Sequence, residues 1–167
     1  IDWEQFSINR GSHTTLIKPF PISVNFNGST TSEHNSPLQK ESIKENLLGE
    51  IGVKAKYLGV GVDRIDYTKG IPERLRAIER FLEKYPKFVG EFTFVELGAP
   101  SRTNINRYRD LITEIEALVD KVNRRFRTKT WVPFIFLKKH HTHEEITPFY
   151  RAADICMVTS LHDGMNL

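Results

Sequence analysis

Four short segments of this 167-residue chain hold residue types suited to a charged, hydroxylated ligand. The first is Asp63-Arg64-Ile65-Asp66-Tyr67-Thr68-Lys69-Gly70, where two cations and a glycine stand just before a helix-forming stretch. Free backbone N–H groups and the positive end of a helix dipole favour phosphate there, and Arg64 and Lys69 add full charges. The alternative is that Arg64 pairs with Asp63 or Asp66 while Lys69 is solvated. The segment matches neither a GxxxxGK(S/T) phosphate loop nor a GxGxxG turn.

The second segment, Pro100-Ser101-Arg102-Thr103, sets Arg102 before a long helical pattern, with Ser101 or Thr103 available as a cap. The third runs from Lys138 to Glu145 and includes His140, His141 and His143, which raises metal binding. No cysteine or further histidine stands at ligand spacing, and neighbours in one loop rarely converge on an ion, so a role without metal is expected. The fourth, Asp163-Gly164-Met165-Asn166-Leu167, offers a carboxylate for hydroxyls and a glycine that lets backbone amides approach a ligand.

These segments share one property, which is that each follows an apolar run of strand character. Tyr57 to Val62, Phe92 to Leu97, Trp131 to Leu137 and Ile155 to Thr159 read as strands. Between them lie helical patterns. Ile71, Leu75, Ile78 and Leu82 mark one, with Pro72 in its first turn and Glu73, Arg76, Glu79, Arg80 and Glu83 facing water. A longer stripe runs Ile105, Tyr108, Leu111, Ile112, Ile115, Leu118, Val119 and Val122, and Glu144 to Ala153 forms the third. Gln39 to Leu48 makes a short helix stopped by Gly49. Strand and helix in alternation build a parallel, doubly wound α/β sheet through right-handed crossovers, with ligands beyond the carboxyl ends of the strands. Residues 1–37 read as irregular or linking, apart from a short strand at Pro21 to Phe26.

Composition narrows the class. The apolar fraction of 39 % and charged fraction of 27 % are those of a globular chain. No apolar run reaches the roughly 20 residues of a membrane helix, and Asp2 and Glu4 sit where a secretory leader is basic and then apolar. A net charge of +3 predicts no general attraction to nucleic acid or anionic lipid. The basic run Lys121, Arg124, Arg125, Arg127 and Lys129 closes a helix, where cations complement the dipole. The one cysteine, Cys156, stands in an apolar run and reads as a core thiol in a reducing, cytoplasmic setting.

Taken in order, Phe20-Pro21-Ile22, Val62 to Gly70, Phe81-Leu82-Glu83-Lys84-Tyr85-Pro86, Pro100-Ser101-Arg102 and Leu161 to Leu167 resemble the C-terminal lobe of the trehalose-6-phosphate synthases. The resemblance covers about residues 21–167. It implies a Rossmann-like lobe of a GT-B glycosyltransferase, transferring glucose from UDP-glucose to glucose 6-phosphate with retention and without a metal or cofactor. It implies that Arg64 and Lys69 hold the departing diphosphate, Arg102 reaches the acceptor phosphate, and His140 and His141 lie near the base and the donor. Asp163 then binds donor hydroxyls, while Gly164, Met165, Asn166 and Leu167 present backbone amides. The lobe of residues 38–167 is expected to stop before its closing helices and to need the family's N-terminal lobe, being inactive alone. A synthase for another acceptor, of glucosylglycerol phosphate or cyclitol type, and a non-catalytic nucleotide-binding module are the alternatives.

Overall fold

The computed structural model describes residues 2–19 and 36–163. The two stretches belong to separate compact units. The strand expected at Pro21 to Phe26 and the segment Gly164, Met165, Asn166 and Leu167 lie outside the described residues.

The front, expected to be irregular, contains an antiparallel hairpin of β1 (Ser7–Arg10) and β2 (His13–Leu16), with Arg10 opposite His13. Gly11 at φ +61° permits its two-residue turn.

The body begins with α1 (Pro37–Glu50), longer at both ends than the pattern predicts. Ser36 accepts from the Gln39 N–H and Gln39 returns a bond to Ser36, which completes a capping box. Gly49 remains inside the helix; Gly52, at φ +76°, takes the left-handed position that releases the chain. Then follow β3 (Tyr57–Arg64), α2 (Ile71–Lys84), a short 3-10 turn at Pro86–Phe88, and β4 (Phe92–Ala99). After these come α3 (Asn106–Phe126), β5 (Phe134–Leu137), α4 (His143–Ala152) and β6 (Ile155–Cys156).

The four strands of the body are parallel in the order β5-β4-β3-β6. The helices pack as two pairs, α1 with α4 and α2 with α3, the layering of a doubly wound sheet. The chain reverses its direction of travel across the sheet between β3 and β6. That is the topological switch point, where open α/β sheets leave a crevice.

Strand lengths differ from the pattern for local reasons. β4 continues through Gly98 and Ala99, which pair with Asp63 and Arg64. Gly98 is required there because a Cβ would lie 2.5 Å from the Phe136 ring. β5 starts only at Phe134, since Pro133 has no N–H for the ladder, although Trp131 is buried as an apolar residue should be. β6 shrinks to two residues at the edge of the described sheet, so Cys156 is exposed and not the core thiol expected. Helix α3 starts from Ile105, with no side-chain cap from Ser101 or Thr103.

The core joins Leu58, Val60, Phe94, Val95 and Leu97 of the sheet to Ile71, Leu75, Ile78, Leu82, Leu111 and Ile115 of α2 and α3. Among the described residues, no helix is long and apolar enough to cross a membrane.

One glycine fixes how α2 leaves the sheet. Gly70 caps the helix at φ +65°, and a Cβ there would fall on the Thr159 carbonyl oxygen of the loop after β6. Gly70→Ala is therefore expected to destabilise the protein by about 2–4 kcal/mol, adding left-handed strain to a backbone clash. Urea denaturation of the variant against the parent measures it, and a cost within about 0.5 kcal/mol contradicts this packing.

Candidate functional site

The carboxyl ends of β3 and β6 bring their loops into direct contact. The Leu161 N–H donates to the Thr68 carbonyl at 2.7 Å, and the Thr159 hydroxyl lies 3.3 and 3.4 Å from the carbonyls of Lys69 and Gly70. Lys69 and Asp163, 94 positions apart, consequently form an ion pair, and Asp63 Oδ1 lies 3.9 Å from Lys69 Nζ. Two of the residues singled out in the sequence are thus side by side, and the solvated Lys69 of the alternative reading does not occur.

Beneath them lies a buried cluster that the sequence reading passed over. Arg74 of α2 is wholly buried, donating from Nη2 to Asp63 Oδ2 at 2.8 Å, from Nη1 to Glu96 Oε2, and from Nε to Thr159 Oγ1 at 3.0 Å. Glycine at 61 makes room, because a Cβ there would overlap both the Arg74 guanidinium and the Glu96 carboxylate. Asp63 pairs with Arg74, so the pairing of Arg64 with Asp63 considered from sequence does not occur either. The signal was present. Position 74 lies between Ile71, Leu75 and Ile78 on the helix surface, and Glu96 interrupts an apolar strand, so both face the interior.

Burial raises the Asp63 carboxyl above its ordinary value against the pull of Arg74 and Lys69. Burial likewise pushes Glu96 up to about 7, although the Arg74 guanidinium opposes it. The two carboxylates hold Arg74 firmly protonated in spite of its desolvation.

Arg64 closes β3 exposed to solvent and makes no hydrogen bond or ion pair among the described residues; it acts on Asp66 only through its charge. Asp66 is buried, yet hydrogen bonds from the Thr68 N–H and hydroxyl, both 3.1 Å, and from Tyr108 hold its carboxyl below the ordinary range. Arg102, at φ +49°, donates to the Tyr108 hydroxyl at 2.7 Å. Asp66, Tyr108 and Arg102 therefore form a second chain beside the first, over β3 and β4. Arg107 stacks at 3.8 Å on Tyr67, whose ring meets Tyr108 edge-on.

His140 and His141 stand apart from this group, beyond β5 at the far side of the sheet. His141 lines a cavity of about 430 Å³ with Leu47, Ile51, Glu145 and Phe149, between α1 and α4. Burial and nearby Lys139 lower its pKa, and its Nε2 has no partner among the described residues. Lys138 and Lys139 pair with Glu116 and Glu145. Among the described residues no three metal-ligating side chains converge. Glu79, expected to face water, is instead buried and pairs with Lys121 and Arg125, so part of the basic run at the end of α3 holds α2.

A doubly wound lobe with charged loops zipped together at its switch point defines a ligand-binding domain of Rossmann-like type. The glycosyltransferase family 20 model matches residues 2–167, and the chain belongs to that family. It is 33 % identical over 178 residues to the α,α-trehalose-phosphate synthase (UDP-forming) of Schizosaccharomyces pombe, an alignment covering 99 % of this chain and 35 % of that protein. A Burkholderia xenovorans synthase of the same description, in complex with glucose-6-phosphate, superposes with TM-score 0.76 at 28 % identity, covering 96 % of this chain and 35 % of the other. An E. coli trehalose-6-phosphate structure bound with UDP-2-fluoro glucose gives 0.75 at 26 %, covering 96 % and 36 %. The chain thus has the Rossmann-like architecture of a GT-B lobe and spans about a third of the length of these relatives.

The raised Glu96 carboxyl has a consequence for stability. A group whose folded pKa is raised adds stability below its unfolded value, near 4.5, and that contribution is lost as pH rises through about 7. Glu96→Gln removes this loss. Its stability relative to the parent should rise by up to about 3 kcal/mol between about pH 4.5 and 8, read from urea denaturation at both ends, and a constant difference contradicts the assignment.

Proposed function

We propose that this chain is the donor-binding lobe of a UDP-forming trehalose-phosphate synthase. In that reading the complete protein transfers glucose from UDP-glucose to glucose 6-phosphate, with retention of configuration and without a metal. The observation that carries it is the meeting of the loops after β3 and β6 at the switch point, in a chain of this family. The relatives bound with UDP-2-fluoro glucose and with glucose-6-phosphate support the two substrates.

The residues take the following roles. A departing diphosphate accumulates negative charge, and fixed cations with helix amides stabilise it in the transition state. Arg64, exposed at the end of β3, and Lys69, two residues before α2, supply that charge. Asp163 holds Lys69 in place and accepts from hydroxyls of the donor glucose, and the backbone amides of Gly164, Met165, Asn166 and Leu167 are assigned to the same donor. Arg102, steered by Tyr108, reaches the acceptor phosphate, where a guanidinium binds two oxygens at once. His140 and His141, on the loop after β5 and apart from these cations, are assigned to the nucleotide end of the donor. A second lobe supplies the remaining acceptor contacts and closes on the substrates. The setting in this reading is cytoplasmic, where an exposed thiol such as Cys156 stays reduced.

Calorimetric titration of UDP into the complete protein tests the phosphate assignment. Arg64→Ala and Lys69→Ala are each expected to weaken binding by about ten- to hundredfold, the worth of one charge-assisted contact. Unchanged affinity in both variants refutes the assignment, and a complete protein inactive with glucose 6-phosphate refutes the acceptor.

A further inference from the structure

We propose that Arg74 is a positioning residue for this site, its buried guanidinium tying the loop after β3 to the loop after β6 and thereby setting Lys69 against Asp163. The inference rests on the donor-binding reading above and deepens it.

Three observations lead to it. Arg74 reaches three separate pieces of chain at once, Asp63 at the end of β3, Glu96 within β4, and Thr159 after β6. Two of these contacts lead on toward the ligand-facing groups. Asp63 offers its other oxygen to Lys69 at 3.9 Å, and the Thr159 hydroxyl bridges to the carbonyls of Lys69 and Gly70. Finally, the Arg74 and Glu96 side chains are 0 % exposed and Asp63 only 7 %. Apolar side chains of similar size commonly replace such a cluster without loss of stability, so stability alone does not account for it. Orientation does. A planar guanidinium with five donors in fixed directions can hold three partners at set angles, whereas a lysine ammonium is a single point on a flexible stem.

Glu96 tunes the arrangement. Ionised, it shares Arg74 with Asp63, which leaves negative charge on Asp63 to hold Lys69. Protonated, it releases Arg74 wholly to Asp63, and Lys69 loses part of its counter-charge. The titratable and charged groups facing Glu96 are Arg74 from α2, Asp63 from β3 and Cys156 from β6. Its elevated pKa, about 7, brings this exchange into the neutral range.

The test uses the complete protein, with donor and acceptor kinetics and UDP binding followed from about pH 5.5 to 8.5. Arg74→Lys keeps the charge and removes the fork. It is expected to lower kcat/KM for the donor by about tenfold or more while the acceptor KM stays within about twofold. The parent enzyme should show a limb in donor kcat/KM with its midpoint near 7; Glu96→Gln should abolish that limb and Glu96→Asp should keep it. The Glu96 variants decide the matter if Arg74→Lys fails to fold. A donor kcat/KM unchanged in Arg74→Lys, or a limb unchanged in Glu96→Gln, overturns the proposal. So do donor and acceptor parameters that fall together in proportion to thermal stability. If Arg64→Ala and Lys69→Ala leave UDP affinity intact, the donor-binding reading fails and the inference with it. A normal loss in those two variants beside an unaffected Arg74→Lys refutes the positioning role alone.

Discussion

A guanidinium removed entirely from water is the constraint around which this lobe is organised. Moving an isolated charge into a low-dielectric interior is prohibitive, so Arg74 has to bring partners with it. Those partners dictate much else. Asp63 must end β3 where it does, Glu96 must stand in the middle of a buried strand, and Thr159 must come back across the sheet after β6. Position 61 must be glycine because the ion pair occupies the space of a side chain.

The same constraint explains why the charged loops meet. In a sheet of order β5-β4-β3-β6, the loops after β3 and β6 are neighbours although about 90 residues separate them in the chain. Arg74 and the left-handed Gly70 hold them together from below, while Lys69 and Asp163 close them above. Membership of glycosyltransferase family 20 gives this crevice its context, and the proposed use of its cations is electrostatic. Beside it, Asp66, Tyr108 and Arg102 carry the polar surface across β3 and β4.

Periodicity made the architecture legible. The stripes of α2 and α3 and the apolar runs of β3 and β4 lie where the residues place them, because burial of one face is a local property of the pattern. Boundaries were less legible, since caps and neighbours settle them. Gly49 stayed helical because Gly52 offered a better exit, Gly98 stayed in its strand because Phe136 needed the space, and β6 shortened at the sheet edge. Of the candidate site, the cations Arg64, Lys69 and Arg102 were visible as charged residues after strands. Arg74 and Glu96 were not, because a charge within an apolar stripe reads as an exception until its partner is known.

By itself, then, the sequence determined the alternation of strand and helix, the parallel sheet, and the loops at the carboxyl ends of its strands. These follow from side-chain period and turn chemistry over a few residues at a time. Only the tertiary structure decided which charges meet: that Lys69 faces Asp163, and that Asp63 belongs to Arg74 and not to Arg64. Ion pairs depend on distances between residues remote in the chain, and crossovers that exchange neighbours across a sheet set those distances.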